Sequence, residues 1–285
     1  MNTVTWSGTL TARSSIAHGG ETRGTITLLR RELLILPDGS QVYVPVISGN
    51  TLRGRLRRIG EELLRDVLTY EGLLHPAAAH ALRGGGQLAK TGHEPLSGSR
   101  LATLRSLVPH IAVFGAAGGG TIIDGALDVG KVVPHVQETA HITGQTTTRS
   151  AFSATQLEAY TRQDDSDRHD FAGVTTLTIG PDGRPDLTGT ETTSQLLFNV
   201  ETFPAGSAFS AWLRLRRPSE LQLAYFLDVL TEFGRSGHLG GRIAIGHGLV
   251  DVDVQPDQLV SVDVDWRDHA RAHRDEILTA LDGLA

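Results

Sequence analysis

The chain of 285 residues has no cysteine, one methionine and only 5% aromatic residues. Without cysteine there is no disulfide framework and no thiolate metal site, and a reducing compartment is its natural setting. No apolar run reaches the roughly 18 residues that span a bilayer, and no basic-apolar-small leader pattern is present, so a cytoplasmic protein with no membrane partner is expected. Catalytic signatures are scarce as well. There is no Gly-x-Ser-x-Gly elbow, no His-Glu-x-x-His pair and no aspartate before Asp38. The glycine-rich residues 240–248 follow a predicted helix and precede a strand, the reverse of a nucleotide loop, and His247 stands where a triphosphate loop needs lysine. No cofactor is expected.

What is present suffices for a large core: 39% of residues are hydrophobic, enough for one large domain or a domain with insertions. The net charge of -6 argues against a uniformly basic nucleic-acid binder, yet the charge is unevenly placed. Residues 1–60 hold eight arginines against Glu21, Glu32 and Asp38, a balance of +5, whereas residues 251–285 hold nine acids against three arginines, a balance of -6. A basic surface can therefore exist on an acidic protein, and the two ends of neighbouring copies can attract each other.

Hydrophobic alternation predicts a strand over 2–13, a polar loop over 14–24, and a hairpin of strands 25–36 and 41–46 around Pro37-Asp38-Gly39. A helix is expected over about 50–68. Residues 72–121 read as short helices interrupted by Gly84-Gly-Gly86 and Gly118-Gly-Gly120, an inserted helical lobe. Strand character returns at 125–136. Residues 139–192 form a long polar excursion, with Gln163-Asp-Asp-Ser-Asp-Arg-His-Asp170 at its middle. Strands 195–201 and 208–216 follow, then a helix opened by Pro218 and Ser219, a strand to Val254, a further strand 259–264 and an acidic terminal helix. Stripped of insertions, the order is strand, helix, strand, strand, helix, strand. That is the split βαβ order of an α+β, ferredoxin-like sheet, shared with RNA-recognition domains, although no strand here carries their aromatic signature.

The motif with most chemistry is Ile47-Ser-Gly-Asn-Thr-Leu-Arg-Gly-Arg-Leu-Arg57. Ser48 or Asn50 can cap the helix, and Gly49 permits the turn. Leu52, Leu56, Ile59, Leu63 and Val67 recur at helical spacing and form the expected buried stripe. Arg53 and Arg57 fall on one flank, Arg55, Arg58 and Arg65 on the other, and neither group is expected in the core. A helix start offers unpaired N–H groups and a positive field, so arginines beside it suit phosphate. Glu61, Glu62 and Asp66 lie toward the other end, where they can pair with arginines on a solvated face.

Three motifs in this order, the arginine helix, Val113-Phe-Gly115 before Gly125-x-Leu127, and Gly240-Gly-Arg-x-x-x-Gly-x-Gly248, resemble the RAMP superfamily of CRISPR-associated proteins over most of residues 1–255. More narrowly, the chain is similar to the repeated backbone subunit that coats guide RNA in class 1 effector complexes, with a leaning to type IV. The resemblance implies a ferredoxin-like palm (1–71, 122–138 and 193–265), a helical finger insertion (72–121), a thumb (139–192) and a C-terminal helix (266–285). It implies RNA contacts at Ser48, Asn50, Arg53 and Arg57, at His238, Gly240, Gly241 and Arg242, and at His18 and Arg23 in the first loop. The implied partners are guide RNA, neighbouring copies in a head-to-tail filament, other CRISPR effector subunits, and target nucleic acid paired to the guide.

Cutting relatives place an aspartate after the first strand; here only Glu21 and Glu32 precede Asp38, so cleavage is expected to be absent, with Glu21 the residue to test. Two enzymatic alternatives remain: an endoribonuclease using His18 or His238, and a metal-dependent hydrolase using the Asp/His loop at 164–170. His269 and His273 are spaced to share a metal but lack a third partner in the pattern. No metal site is expected.

Overall fold

The computed structural model describes residues 2–86, 98–118, 121–162 and 196–284. Its centre is a five-stranded antiparallel sheet built from β1 (Val4–Ala12), β8 (Leu127–Val129), β9 (Val133–Pro134), β12 (Ala208–Leu215) and β13 (Val250–Pro256). The order is β13-β1-β12-β8, with β9 also paired to β12. With α1 (Gly49–Leu68) between β1 and β8, and α6 (Glu220–Ser236) between β12 and β13, this is the ferredoxin-like arrangement.

Alternation builds the sheet's inner face. Val4, Trp6, Leu10 and Ala12 of β1 are buried, as are Phe209, Ala211, Leu213 and Leu215 of β12. Trp6 meets Phe226 of α6 edge to face with centroids 5.2 Å apart. Ser219 and Gln222 close a reciprocal capping box on α6, which fixes where that helix starts.

The helices α2 (Pro76–Gly84), α3 (Gly98–Leu107) and α4 (Pro109–Phe114) bury Ala78, Leu82, Leu104, Ile111 and Phe114 in the same core as the palm. The short strands β6 (Ala116–Gly118) and β7 (Thr121–Ile123) pair after them. His110 is fully buried there: Nδ1 lies 2.7 Å from the Tyr225 hydroxyl and Nε2 lies 2.9 Å from the Leu82 carbonyl oxygen. A neutral ring with the proton on Nε2 satisfies both, donating to Leu82 O and accepting from the Tyr225 hydroxyl, and burial, with Arg57 nearby, pushes its pKa down to about 3 and keeps it neutral.

A second sheet runs β10-β11-β3-β2, from β10 (Gln156–Arg162), β11 (Leu196–Thr202), β3 (Ile26–Leu29) and β2 (Gly19–Arg23). A separate hairpin pairs β4 (Arg31–Ile35) with β5 (Gln41–Pro45) and packs over Val136, Ala151 and Ala154. After the short α5 (Ala140–Thr143) the chain enters β10, and it ends in α7 (Trp266–Ala272) and α8 (Arg274–Asp282).

Several expectations need correction. The expected loop 14–24 contains β2, and the expected strand 25–36 breaks at Arg30, whose N–H donates to His18 O while its carbonyl accepts from Val46 N–H. The strand over 195–201 forms as β11 but joins β10 and β3 rather than the palm sheet. Residues 259–264 form no strand. Parts of 72–121 and the middle of 139–192, including the Asp/His loop at 164–170, lie outside the described residues.

Candidate nucleic-acid interface

After β1 the chain turns through Ser14 and Ser15 and passes between two distant segments. On one side Gly241 N–H donates to Ala17 O at 2.8 Å and Gly248 N–H donates to Ser15 O at 2.8 Å. On the other, Ser48 N–H donates to His18 Nε2 at 3.2 Å. The start of α1 and the glycine turn therefore flank one short loop.

Gly240 makes this possible. Its φ is +87°, and a Cβ there would stand 2.4 Å from Ala17 O, so no side chain fits. Next but one, Arg242 adopts a left-handed conformation with φ of 59°, uncommon for a residue with a side chain. Gly241, Arg242 and the turn through Gly246 are exposed.

The opening of α1 is bare of acid. Ser48 is the N-cap but makes no side-chain cap bond; its hydroxyl meets Thr51 Oγ1 at 3.0 Å instead. His18 takes the capping role. Burial and then the Arg30 charge hold its pKa below the ordinary value, which keeps Nε2 available as the acceptor for Ser48 N–H. Asn50 is exposed, and the exposed Arg30 makes no side-chain hydrogen bond or ion pair among the described residues.

Arg53 and Arg57 lie elsewhere than their flank position suggested. Arg57 is 8% exposed, donates to Gly115 O at 2.8 Å and also to Phe114 O. Arg53 donates to Phe114 O at 2.9 Å and to Leu127 O. The two guanidiniums cap the C-terminal carbonyls of α4, where cations are favoured. Burial, with Arg53 adding to it, brings the Arg57 pKa down to about 10, so the group stays charged at neutral pH. Glu61 is likewise interior rather than solvated, accepting from the Tyr70 hydroxyl at 2.6 Å and paired with Arg83 at 2.5 Å.

The remaining positions have local partners. His238 Nδ1 is 2.6 Å from Ser236 O, within the turn that follows α6. Arg23 sits on β2, ion-paired to Glu21 at 3.0 Å, and that pairing lowers the Glu21 pKa. His269 and His273 stack with centroids 4.4 Å apart but spend nitrogens on the carbonyls of Leu107 and His269. Among the described residues no group of three or more His, Cys, Asp or Glu side chains is arranged to hold a metal.

No role at this interface was assigned from the sequence to Tyr160, Phe198, His247 or Arg30. Tyr160 and Phe198 pair across β10 and β11 with rings stacked at 5.5 Å, and the Arg242 guanidinium lies 5.2 Å from the Phe198 centroid and 6.0 Å from that of Tyr160. His247 connects them to the first loop, with Nδ1 3.0 Å from Ser15 Oγ and Nε2 2.5 Å from the Tyr160 hydroxyl. The Tyr160 hydroxyl donates to Glu158 at 2.6 Å, and Thr202 donates to the same carboxylate at 2.7 Å. Burial alone raises the Glu158 pKa, but these hydrogen bonds outweigh it and bring the group to about 2. Tyr160 rises to about 12 through burial and its carboxylate partner. The fourth, Arg30, was visible only as one arginine among eight.

A family model for the RAMP superfamily matches residues 9–251. The chain belongs to the RAMP superfamily. Among solved structures, this RAMP protein resembles a chain titled "Type IV-B CRISPR Complex" at 32% identity and a TM-score of 0.64, covering 93% of this chain and 96% of that one. No curated protein matches it. Among the described residues, no helix of this RAMP protein is long and apolar enough to cross a membrane.

Proposed function

We propose that this RAMP protein is a non-catalytic, guide-RNA-binding subunit of a type IV CRISPR effector complex, repeated head to tail along the guide. The observation that carries this reading is the first loop, hydrogen-bonded at once to the start of α1 and to the glycine turn. It ties an acid-free helix entrance with the exposed Asn50 to the turn that carries the exposed Arg242. N–H groups and a cation in that setting suit phosphate oxygens. Contacts to the backbone leave base edges available for pairing, which suits a protein that must accept any guide sequence.

The family membership and the type IV-B likeness support the same assignment, including other effector subunits and a guide-paired target as partners. Cleavage has little to work with. The acceptor nitrogen of His18 is committed to Ser48 N–H, and Glu21 is paired with Arg23. In the assembled particle, residues 72–121 act as the finger and residues 139–192 as the thumb, and the protein works in the cytoplasm.

The test is purification from cells carrying the guide locus, followed by absorbance ratio, particle mass and RNA sizing. Co-purified RNA of defined length in a particle of several copies is the expected result. Nucleic-acid-free monomer that binds no added RNA would overturn the proposal.

A further inference from the structure

We infer that copies of this chain join through two specific surfaces at opposite ends of the palm sheet: the outer face of the β4–β5 hairpin and the segment 257–265 of the next copy. The inference rests on the proposed self-assembly and names the surfaces that would perform it.

The first surface is apolar where a solitary protein gains nothing from it. Leu33 and Tyr43 are register partners on the hairpin face turned away from Val44 and Val136, and they are 47% and 65% exposed, with Ile35 beside them at 65%. Next to Tyr43 an open cleft of about 690 Å³ is lined by Leu28, Leu29 and Arg30 among others. The Arg31 charge is already met by Glu201 and that of Arg23 by Glu21, whereas Arg30 forms no ion pair among the described residues. The hairpin surface therefore carries an apolar patch with Arg30 at the edge of the cleft, while the acidic Asp38 lies in the turn at the hairpin's tip.

The second surface is its complement. Leu259 is fully exposed, at 104%, and projects from a segment containing Asp257, Asp263 and Asp265 and no basic residue. Among the described residues none of these aspartates forms an ion pair; Asp257 accepts from Thr5 N–H and Asp265 caps α7. An apolar projection ringed by acid fits an apolar cleft rimmed by arginine, and the reverse pairing of like surfaces sets acid against acid.

Their placement sets the two patches at different ends of β1, as a head-to-tail contact requires. Asp257 N–H bonds to Thr5 O at the start of β1, while the chain reaches β2–β5 only after Ala12 at the other end. Seven residues of strand separate those ends, about 23 Å at the usual rise. Two different patches that meet once per pair of copies join successive copies in a series, whereas a reciprocal twofold pairing would use both contacts within one dimer and give no ladder on cross-linking.

The absence of cysteine gives a clean test. Leu33→Cys and Leu259→Cys are introduced together and the protein is treated with a short bismaleimide, without RNA and with long RNA. A ladder of multimers is expected from the double variant, and nothing beyond dimer from either single variant. A second measurement mixes Tyr43→Glu with Leu259→Glu, each monomeric alone; because each keeps one intact surface, the mixture should give a species of two chains and no larger. Anisotropy with a short labelled RNA runs alongside. No ladder and no mixed pair while the short RNA still binds overturns the docking inference and leaves the RNA reading standing. A ladder without RNA binding keeps the docking and removes the RNA reading, and loss of both removes both.

Discussion

Arginines on a helix flank carry different duties according to what packs there. Arg53 and Arg57 close the end of α4, so Arg57→Ala leaves the Gly115 carbonyl without its donor and Phe114 O with Arg53 alone. It is expected to lower stability by about 1–3 kcal/mol, the cost of one orphaned buried group, in denaturant titration. RNA affinity per folded molecule should stay unchanged. Arg242→Ala should do the opposite: stability close to wild type, affinity reduced evenly across guide sequences, and the salt slope smaller by about one. His110 sets an acid limit on the fold. Its native pKa is depressed to about 3, so below the ordinary histidine value the unfolded chain binds a proton that the folded chain refuses. Stability therefore falls as pH drops through 6, by about 1.4 kcal/mol per pH unit. Thermal melts from pH 7 to pH 5 read this slope, and His110→Asn should flatten it.

Among elements, the glycine turn and the root of the β10–β11 hairpin are held as one unit by the first loop. Gly240→Ala forces a side chain into a left-handed backbone and against Ala17 O, with an expected cost of at least about 1–2 kcal/mol and a detached loop. Amide exchange at Ala17 and Gly241 would register the loss. Tyr160→Phe removes the hydroxyl between Glu158 and His247 while keeping the ring, so exchange should quicken in the turn with little change in melting temperature. The strand-helix order of the palm was legible because β1, α1, β12 and α6 keep clean periods. The break at Arg30 was not, because residues 25–36 hold no glycine or proline to mark a stop before the Pro37-Asp38-Gly39 turn, and only tertiary bonds to His18 and Val46 divide the run. The fates of Arg53 and Arg57 were hidden for a similar reason. A helix wheel shows which residues share a flank, not that α4 and β8 come to rest upon it. Tyr160 and Phe198 stand 38 positions apart on either side of a polar stretch, and their pairing exists only in the register of β10 and β11.

For the whole molecule, a net charge of -6 coexists with an RNA-binding assignment because the charge is uneven, +5 over residues 1–60 against -6 over residues 251–285. Binding of unrelated RNA sequences should differ little, while affinity should fall steeply between low and moderate salt; a titration series at several salt concentrations with two unrelated guides checks both. The first loop also has a bearing on when the protein can act. Residues 15–17 are fastened by Phe203, Gly241, His247 and Gly248, all beyond position 200. Residues as far as Gly248 must therefore leave the ribosome before this loop is fastened, so on the proposed function a half-made chain cannot seize a transcript, and only copies with the loop closed compete for it.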